Sequence, residues 1–397
     1  MINPQFVKQI AANISYWQQV TANLSDTTMA KIDREKQNLF RAVSFGLIPD
    51  ETILATIELI IALFPLVERR VYWQEWLPIL DQTLNRCPNN QAQLKIQLLN
   101  QIGFLRRLAR QFPESIAALE QAVSLAKIGK NEEELATAYF FLGNVYYDDA
   151  QHRLSENFLQ KAQAAFAATG LLQDDKKQAA VHNLIGLNAQ SQGAHSTAIE
   201  AFEKAISHWK KTGERIYLCR TWNNLGLSYL ALGEFTAALD CFQEAELVLT
   251  STVSTDERIR IAINRGQAYY DQKQWAEAEA CFRQAEAYLQ EQRGSLFHNA
   301  LIYNNLAAVL LERNCLKEAH DYGQKSRDLW HSLGNKLMAA NALGVLGEIA
   351  ETQGNLASAR QSYQIAQKQL APFETNPWAN QRRQELRRKL NRLNDER

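Results

Sequence analysis

Three asparagines recur along this chain at one register. Asn224, Asn264 and Asn305 are separated by 40 and 41 residues. Asn223, Asn304, Asn183 and Asn100 share the position just before. Asparagine is a mediocre helix former, so its return inside apolar helical segments asks for a reason. Its side chain carries both a donor and an acceptor, the pair of groups that a peptide backbone also presents. A ladder of such amides could hold an extended peptide. Arg220 and Arg260 stand four residues before Asn224 and Asn264 and would favour an acidic segment or a carboxylate. Leu227 lies three residues after Asn224, on the same helical face. Gln101, Phe104, Phe141, Asn144 and Gln267 would extend the surface. A second reading stands beside this one: the asparagines bond neighbouring helices and serve the fold alone.

Other chemistry is missing from the sequence. There is no phosphate-binding G-x-x-x-x-G-K-[ST] loop, no H-E-x-x-H, no G-x-S-x-G and no Gly-rich dinucleotide loop. The histidines, at 152, 182, 195, 208, 298, 320 and 331, are scattered, and none has a second histidine or a cysteine at metal-ligand spacing. His182 aligns with Trp222 and reads as a packing residue. No enzymatic activity, metal or cofactor is expected. Lysine plus arginine and aspartate plus glutamate both number 43, so net charge calls for neither nucleic acid nor a membrane surface. Five cysteines, Cys87, Cys219, Cys241, Cys281 and Cys315, include no C-x-x-C, which fits a reduced, cytoplasmic protein. Cys241 and Cys281 are 40 apart. At equivalent points of stacked helices they would lie ~8–10 Å apart, beyond the ~7 Å Cα limit of a disulfide. The opening residues lack a charged start followed by an apolar run, so no leader is expected. The most apolar stretch, Ile53 to Val67, is too short for a bilayer and contains Glu58 and Pro65.

The elements that position the asparagines form a repeat. Small residues at 103, 143, 186, 226, 266, 307 and 347 are spaced by 40, 43, 40, 40, 41 and 40. Around them recur an aromatic, then alanine, aromatic and alanine: Gly226, Tyr229, Ala238, Phe242 and Ala245, then Gly266, Tyr269, Ala278, Phe282 and Ala285. This pattern predicts helical hairpins. Small residues let the two helices approach, while Tyr229 and Phe242 fill the space between neighbouring repeats. One hairpin cannot bury its apolar face alone, so hairpins stack. Gly129, Gly170, Gly213 and Gly334 mark helix ends. In the joint at 250–258, Ser, Thr and Asp stand in for glycine as caps.

These motifs resemble the tetratricopeptide repeat (TPR) family, in a long form of about 40 residues rather than roughly 34. The resemblance runs from about Gln91 to Leu370. It implies an all-α, right-handed α-solenoid whose first helices line a concave groove, with the asparagines facing that groove. It also implies protein–protein interaction: a scaffold gripping an extended peptide or partner segment. The alternative is a regulatory sensor that takes a signal peptide or small ligand and relays it to a separate effector. The matching is looser at Gly103 and Ala307, where Arg106 and Leu310 replace an aromatic and Gly323 replaces the second one. Arg265, at a position usually Leu, either reaches solvent or pairs with a carboxylate such as Glu279.

The ends differ. Residues 1–50 form an N-terminal helical cap of two helices, the second capped by Ser25 or Asp26. Residues 51–370 form the solenoid of about eight helix pairs, beginning with a divergent hairpin that turns near Pro65. Residues 32–84 resemble the entry to helical sensor regions of bacterial signal-transduction ATPases and LuxR-type regulators, without the ATPase. Residues 371–397 form an Arg-rich capping helix from Pro377. Its Leu386, Leu390 and Leu393 share one face. Arg382, Arg383, Arg387, Arg388 and Arg392 make the other a solvated surface or a patch for an anionic partner. No aromatic interleaves them, which argues against nucleic acid.

Overall fold

The computed structural model describes residues 3–22, 26–70, 73–168, 174–249, 255–291 and 295–395. All regular structure among them is helical. Contacts divide the chain into two compact units, Met1–Ala194 and His195–Arg397.

In the first unit, α1 (Pro4–Thr21), α2 (Asp26–Arg34), α3 (Lys36–Gly46) and α4 (Asp50–Ala62) open the chain. Here α1 packs on α3 and α4. The second expected N-terminal helix is two, broken at Glu35 with ψ near 15°. Ser25 lies outside the described residues, and Asp26 is the first residue of α2. The expected divergent hairpin is also more finely divided. A short α5 (Phe64–Arg70) carries Pro65 in its first turn, where a missing N–H costs nothing, and α6 (Trp73–Arg86) follows. The regular hairpins then begin: α7 (Ala92–Leu108) with α8 (Phe112–Gly129), and α9 (Glu132–Asp148) with α10 (His152–Ala168), followed by α11 (Asp175–Ser191). Asn131 and Asp174 cap α9 and α11 by accepting first-turn backbone N–H bonds.

The second unit begins with α12 (His195–Thr212) and continues as hairpins: α13 (Arg215–Ala231) with α14 (Phe235–Val248), α15 (Thr255–Asp271) with α16 (Trp275–Glu291), α17 (Leu296–Glu312) with α18 (Leu316–Ser332), and α19 (Lys336–Thr352) with α20 (Leu356–Leu370). A last helix, α21 (Pro377–Asp395), packs on α20 through the buried Leu386, Leu390 and Leu393.

The glycines at anchors 103, 143, 226, 266 and 347 are seats. A Cβ built on Gly226 would meet the Phe242 ring at 2.6 Å, one on Gly266 the Phe282 ring at 2.4 Å, and one on Gly347 the Tyr363 ring at 2.4 Å. Each ring comes from the second helix of the same hairpin. Phe242 therefore closes its own hairpin rather than the space between repeats, because the seat lies directly across the helix pair. Tyr229 does reach the preceding α12, where its hydroxyl lies 3.5 Å from Glu203. In the first unit Leu119 and Leu159 occupy the seats at Gly103 and Gly143. There Ser115 and Ser155 add hydroxyl bonds to the Gly103 and Gly143 carbonyls, at 2.6 and 2.8 Å.

Among the expected helix ends, Gly213 and Gly334 take the left-handed conformation, at φ 70° and 68°. Gly129 is the last residue of α8, and Lys130 makes the left-handed turn in its place. Gly170 and most of the 250–258 joint lie outside the described residues.

Candidate functional site

Within the second unit, the first helices of successive hairpins touch: α13 with α15, α15 with α17, and α17 with α19. Their second helices do not approach one another to the same extent. The inner face is thus built from α13, α15, α17 and α19. Of these helices, α13 carries Asn223 and Asn224, α15 carries Asn264, and α17 carries Asn304 and Asn305.

The face is more tied down than a free ladder would be. Asn223 is buried at 8 % exposure, and its Oδ1 accepts from Asn264 Nδ2 at 2.8 Å. This bond stitches α13 to α15. Asn304 is buried on α17, with its Oδ1 lacking a partner. Asn224, Asn264 and Asn305 are half-buried. Asn224 has a partner of its own, whereas the Asn305 side chain makes no hydrogen bond among the described residues. Leu227 packs its half-buried side chain on the α13–α14 core. Gln267 donates to Asp271 at 2.8 Å along α15, and burial raises the Asp271 carboxyl above its ordinary value.

The two arginines meet on an acid that the sequence reading overlooked. Glu257, on the first turn of α15, is buried at 3 % exposure. Arg220 of α13 donates to its carboxylate through Nε, and Arg260 lies 3.8 Å away. One carboxylate between two guanidinium groups leaves the cluster with net positive charge and unused N–H donors. Both arginine side chains are about half-exposed, at 49 % and 54 %. The available signal was an i,i+3 acid–base pair, Glu257 with Arg260, in register with Arg220 of the preceding repeat. Beneath them Cys219 is fully buried, and burial followed by the nearby Glu257 charge pushes its thiol up to about 12.

The residues expected to extend the surface in the first unit have structural partners. Gln101 is buried and donates to the Ile61 carbonyl of α4 at 3.1 Å. Asn144 accepts from Arg107 at 2.8 Å and donates to the Phe140 carbonyl at 2.9 Å. Phe64, Phe104 and Phe141 form a run of ring contacts at 5.3 and 5.2 Å. Asn100 donates to Glu134 at 2.9 Å and so joins α7 to α9. His182 is half-buried on α11.

Arg265 takes the second of its two expected courses, a carboxylate on the second helix of a hairpin. That carboxylate is Glu246 of α14 rather than Glu279. Glu279 is taken by Arg283 and Arg313. Cys241 and Cys281 are free, buried thiols. Burial raises both, with nearby carboxylates carrying Cys241 to about 12. Among the described residues no group of three or more His, Cys, Asp or Glu could hold a metal, and no helix is long and apolar enough to cross a membrane.

A tetratricopeptide repeat model matches residues 94–168, 177–251, 217–291 and 299–367, which is more than half of the chain. The chain belongs to the tetratricopeptide repeat family. A sequence search of curated proteins found no match. Among solved structures, this TPR chain is similar to the apo form of the quorum sensor NprR from B. thuringiensis. The identity is 15 %, the coverage 91 % of this chain and 99 % of that one, and the TM-score 0.62. It is also similar to a signal-transduction ATPase with numerous domains (STAND) from Pyrococcus horikoshii that has a TPR sensor. There the identity is 15 %, the TM-score 0.66, and the coverage 89 % of this chain but 55 % of that protein, so this chain spans about half of its length. Aspartyl phosphate phosphatase F from Bacillus subtilis matches at 17 % identity over 93 % of this chain and 95 % of that one, with a TM-score of 0.56. At these identities the likeness is one of fold.

Proposed function

We propose that this TPR chain is a non-enzymatic protein–protein interaction module whose inner face, on α13, α15 and α17, holds an extended peptide or partner segment. The observation that supports the reading is the cluster of Arg220 and Arg260 around the buried Glu257, beside Asn224, Asn264 and Asn305. It offers spare guanidinium donors for carboxylates next to amides that can pair with backbone. Acidic groups on the partner follow from the excess of two cations over one anion. Asn223 and Asn304 sit deeper and shape the floor; Asn264 both shapes it and lines it. Buried, unpaired thiols at Cys219, Cys241 and Cys281 fit work in the reducing cytoplasm.

The experiment is capture of binding peptides from a random library, comparing the natural chain with two variants whose folding is checked by circular dichroism. One carries Asn224→Ala, Asn264→Ala and Asn305→Ala. The other carries Asn305→Ala alone, which breaks no bond of the fold. Selective loss of acidic, extended peptides in both supports the inner face. Retention of the same peptides by both would sink the reading and leave the asparagines as structural residues.

A second reading is a sensor that changes shape on binding and relays it to an effector. It is favoured by the neighbours that are a quorum sensor and a TPR sensor of a signal-transduction ATPase. Small-angle scattering with and without a captured peptide separates the two: an unchanged profile favours a passive scaffold, a compacted one the sensor.

A further inference from the structure

The Arg-rich last helix does more than cover the stack. Arg382 is pulled inward: its guanidinium occupies the notch left by Gly344, 3.0 Å from Glu348 and 2.8 Å from Glu385. Arg392 pairs with Glu351, and Lys389 lies 3.2 Å from Glu348. These bonds, with the buried leucines, fix α21 on α19 and α20. They also occupy the carboxylates of Glu348, Glu351 and Glu385. On the other flank, α20 and α21 enclose a groove of about 670 Å³. Gln364, Gln367 and Lys368 form one wall, and Arg383, Gln384 and Arg387, with Asn380 at one end, form the other. The walls are tied where Gln367 donates to the Arg383 carbonyl at 3.4 Å, and Asn380 donates to the carbonyl of Glu374, in the connection before α21, at 2.6 Å. No carboxylate lines the groove, and among the described residues none pairs with Lys368, Arg383 or Arg387. Like charges gathered without a counter-charge repel one another, so this arrangement gains most from a ligand that supplies the anion.

We propose that this groove is a second binding site, separate from the inner face, for an acidic peptide segment. Three cations meet side-chain carboxylates, and four amides between them offer donors and acceptors for the backbone. The volume falls in the range that holds ligands larger than an ion. No aromatic ring lines it, so it lacks the platform on which single-stranded nucleic acid stacks its bases.

The test is fluorescence anisotropy with a short fluorescein-labelled peptide of alternating glutamate and glycine, and its glutamine counterpart as comparator. Arg383→Ala with Arg387→Ala should weaken binding of the acidic peptide roughly tenfold or more, about 1.4 kcal/mol, since arginine is enriched among the few residues that dominate binding energy. Arg388→Ala is the control, because that exposed arginine is on the same helix but does not line the groove. It should leave affinity unchanged when each variant is measured in a chain that also carries Asn305→Ala, which silences the inner face. Circular dichroism verifies that each variant is folded. Four results would each overturn the proposal: no binding by the natural chain at low salt, equal loss with Arg388→Ala, displacement of the peptide by millimolar inorganic phosphate, or a single-stranded oligonucleotide bound more tightly through the same two arginines. The third would assign the groove to small anions, the fourth to nucleic acid.

Discussion

The hairpins α15–α16 and α17–α18 are adjacent copies of one repeat that solve one packing problem in opposite ways. In the first, the seat is Gly266 and the occupant is the fully buried Phe282 of the same hairpin. In the second, Ala307 stands at the anchor and the aromatic position is Gly323. A Cβ there would lie 3.8 Å from Ala307 Cβ but 2.8 Å from Leu346 Cδ2, which belongs to the next hairpin. The same interior volume is filled from within in one case and by a neighbour in the other. A repeat that supplies its own ring is closed by itself; one that borrows a leucine depends on the repeat that follows.

The largest test removes the occupants. Phe282→Ala should destabilise the chain by about 3–5 kcal/mol in urea unfolding, because it empties a rigid seat. Leu346→Ala should cost about 2–5 kcal/mol, and its signature should be spread: hydrogen exchange should quicken in both α17–α18 and α19–α20. If exchange quickens in α19–α20 alone, the borrowed-leucine account fails.

Filling the seats comes next. Gly266→Ala adds a Cβ 2.4 Å from an aromatic carbon. Overpacking of this kind costs about 1–3 kcal/mol, against a helix-propensity gain of about 1 kcal/mol, so net destabilisation is expected. At Gly323 the nearest atom is the end of a leucine side chain, which can turn aside. Gly323→Ala should therefore be near neutral by the same measurement, and a loss as large as at Gly266 would erase the distinction between the two hairpins.

The inner face gives a smaller contrast of the same kind. Asn264→Ala leaves the buried Asn223 Oδ1 without its donor, which should cost about 1–3 kcal/mol in thermal or urea unfolding. Asn305→Ala breaks no bond and should stay within about 0.5 kcal/mol. Equal effects would mean that the two asparagines play one role.

Much of this was legible in the sequence because repetition exposes it. A period near 40 residues, carried by Gly226, Gly266 and Gly347, gives hairpins, family and helix ends, since each copy faces the same packing demand. What stayed hidden depends on partners brought together from different helices. That Asn223 bonds Asn264, that Glu257 sits between Arg220 and Arg260, and that Arg265 takes Glu246 follows from the rotation between neighbouring hairpins. Spacing along one helix cannot supply that rotation. The break at Glu35 was hidden for another reason: no glycine or proline marks it. The division of the arginines of α21 required knowing which acids of α19 lie opposite.

The finest contrast is one of pH, and it concerns the carboxylate that joins the two compared hairpins. Glu279 of α16 receives Arg283 from its own helix and Arg313 from the end of α17, while Arg283 also reaches Glu318 of α18 at 2.8 Å. Burial alone would raise its pKa, but the arginine hydrogen bonds and charges outweigh it and hold the carboxyl below its ordinary value. A depressed folded pKa means that this group's stabilisation is present above the unfolded value of about 4.3 and is lost as pH falls through the folded pKa. Glu134 of α9 behaves oppositely. Its desolvation outweighs the bonds from Gln97 and Asn100 and raises it, so its contribution is greatest below about 4.3 and is lost as pH rises through the folded pKa. Glutamine in place of each glutamate removes the titration. Glu279→Gln should lower the melting temperature at neutral pH, with the deficit shrinking in acid as the natural chain loses its own advantage. Glu134→Gln should give no deficit from lost charge at neutral pH, and the natural chain should gain on the variant as pH falls toward the unfolded value. Parallel melting curves across pH for both variants would mean that neither carboxylate is coupled to folding. A reversed order would mean that the arginine pair on Glu279 does not outweigh the cost of its burial.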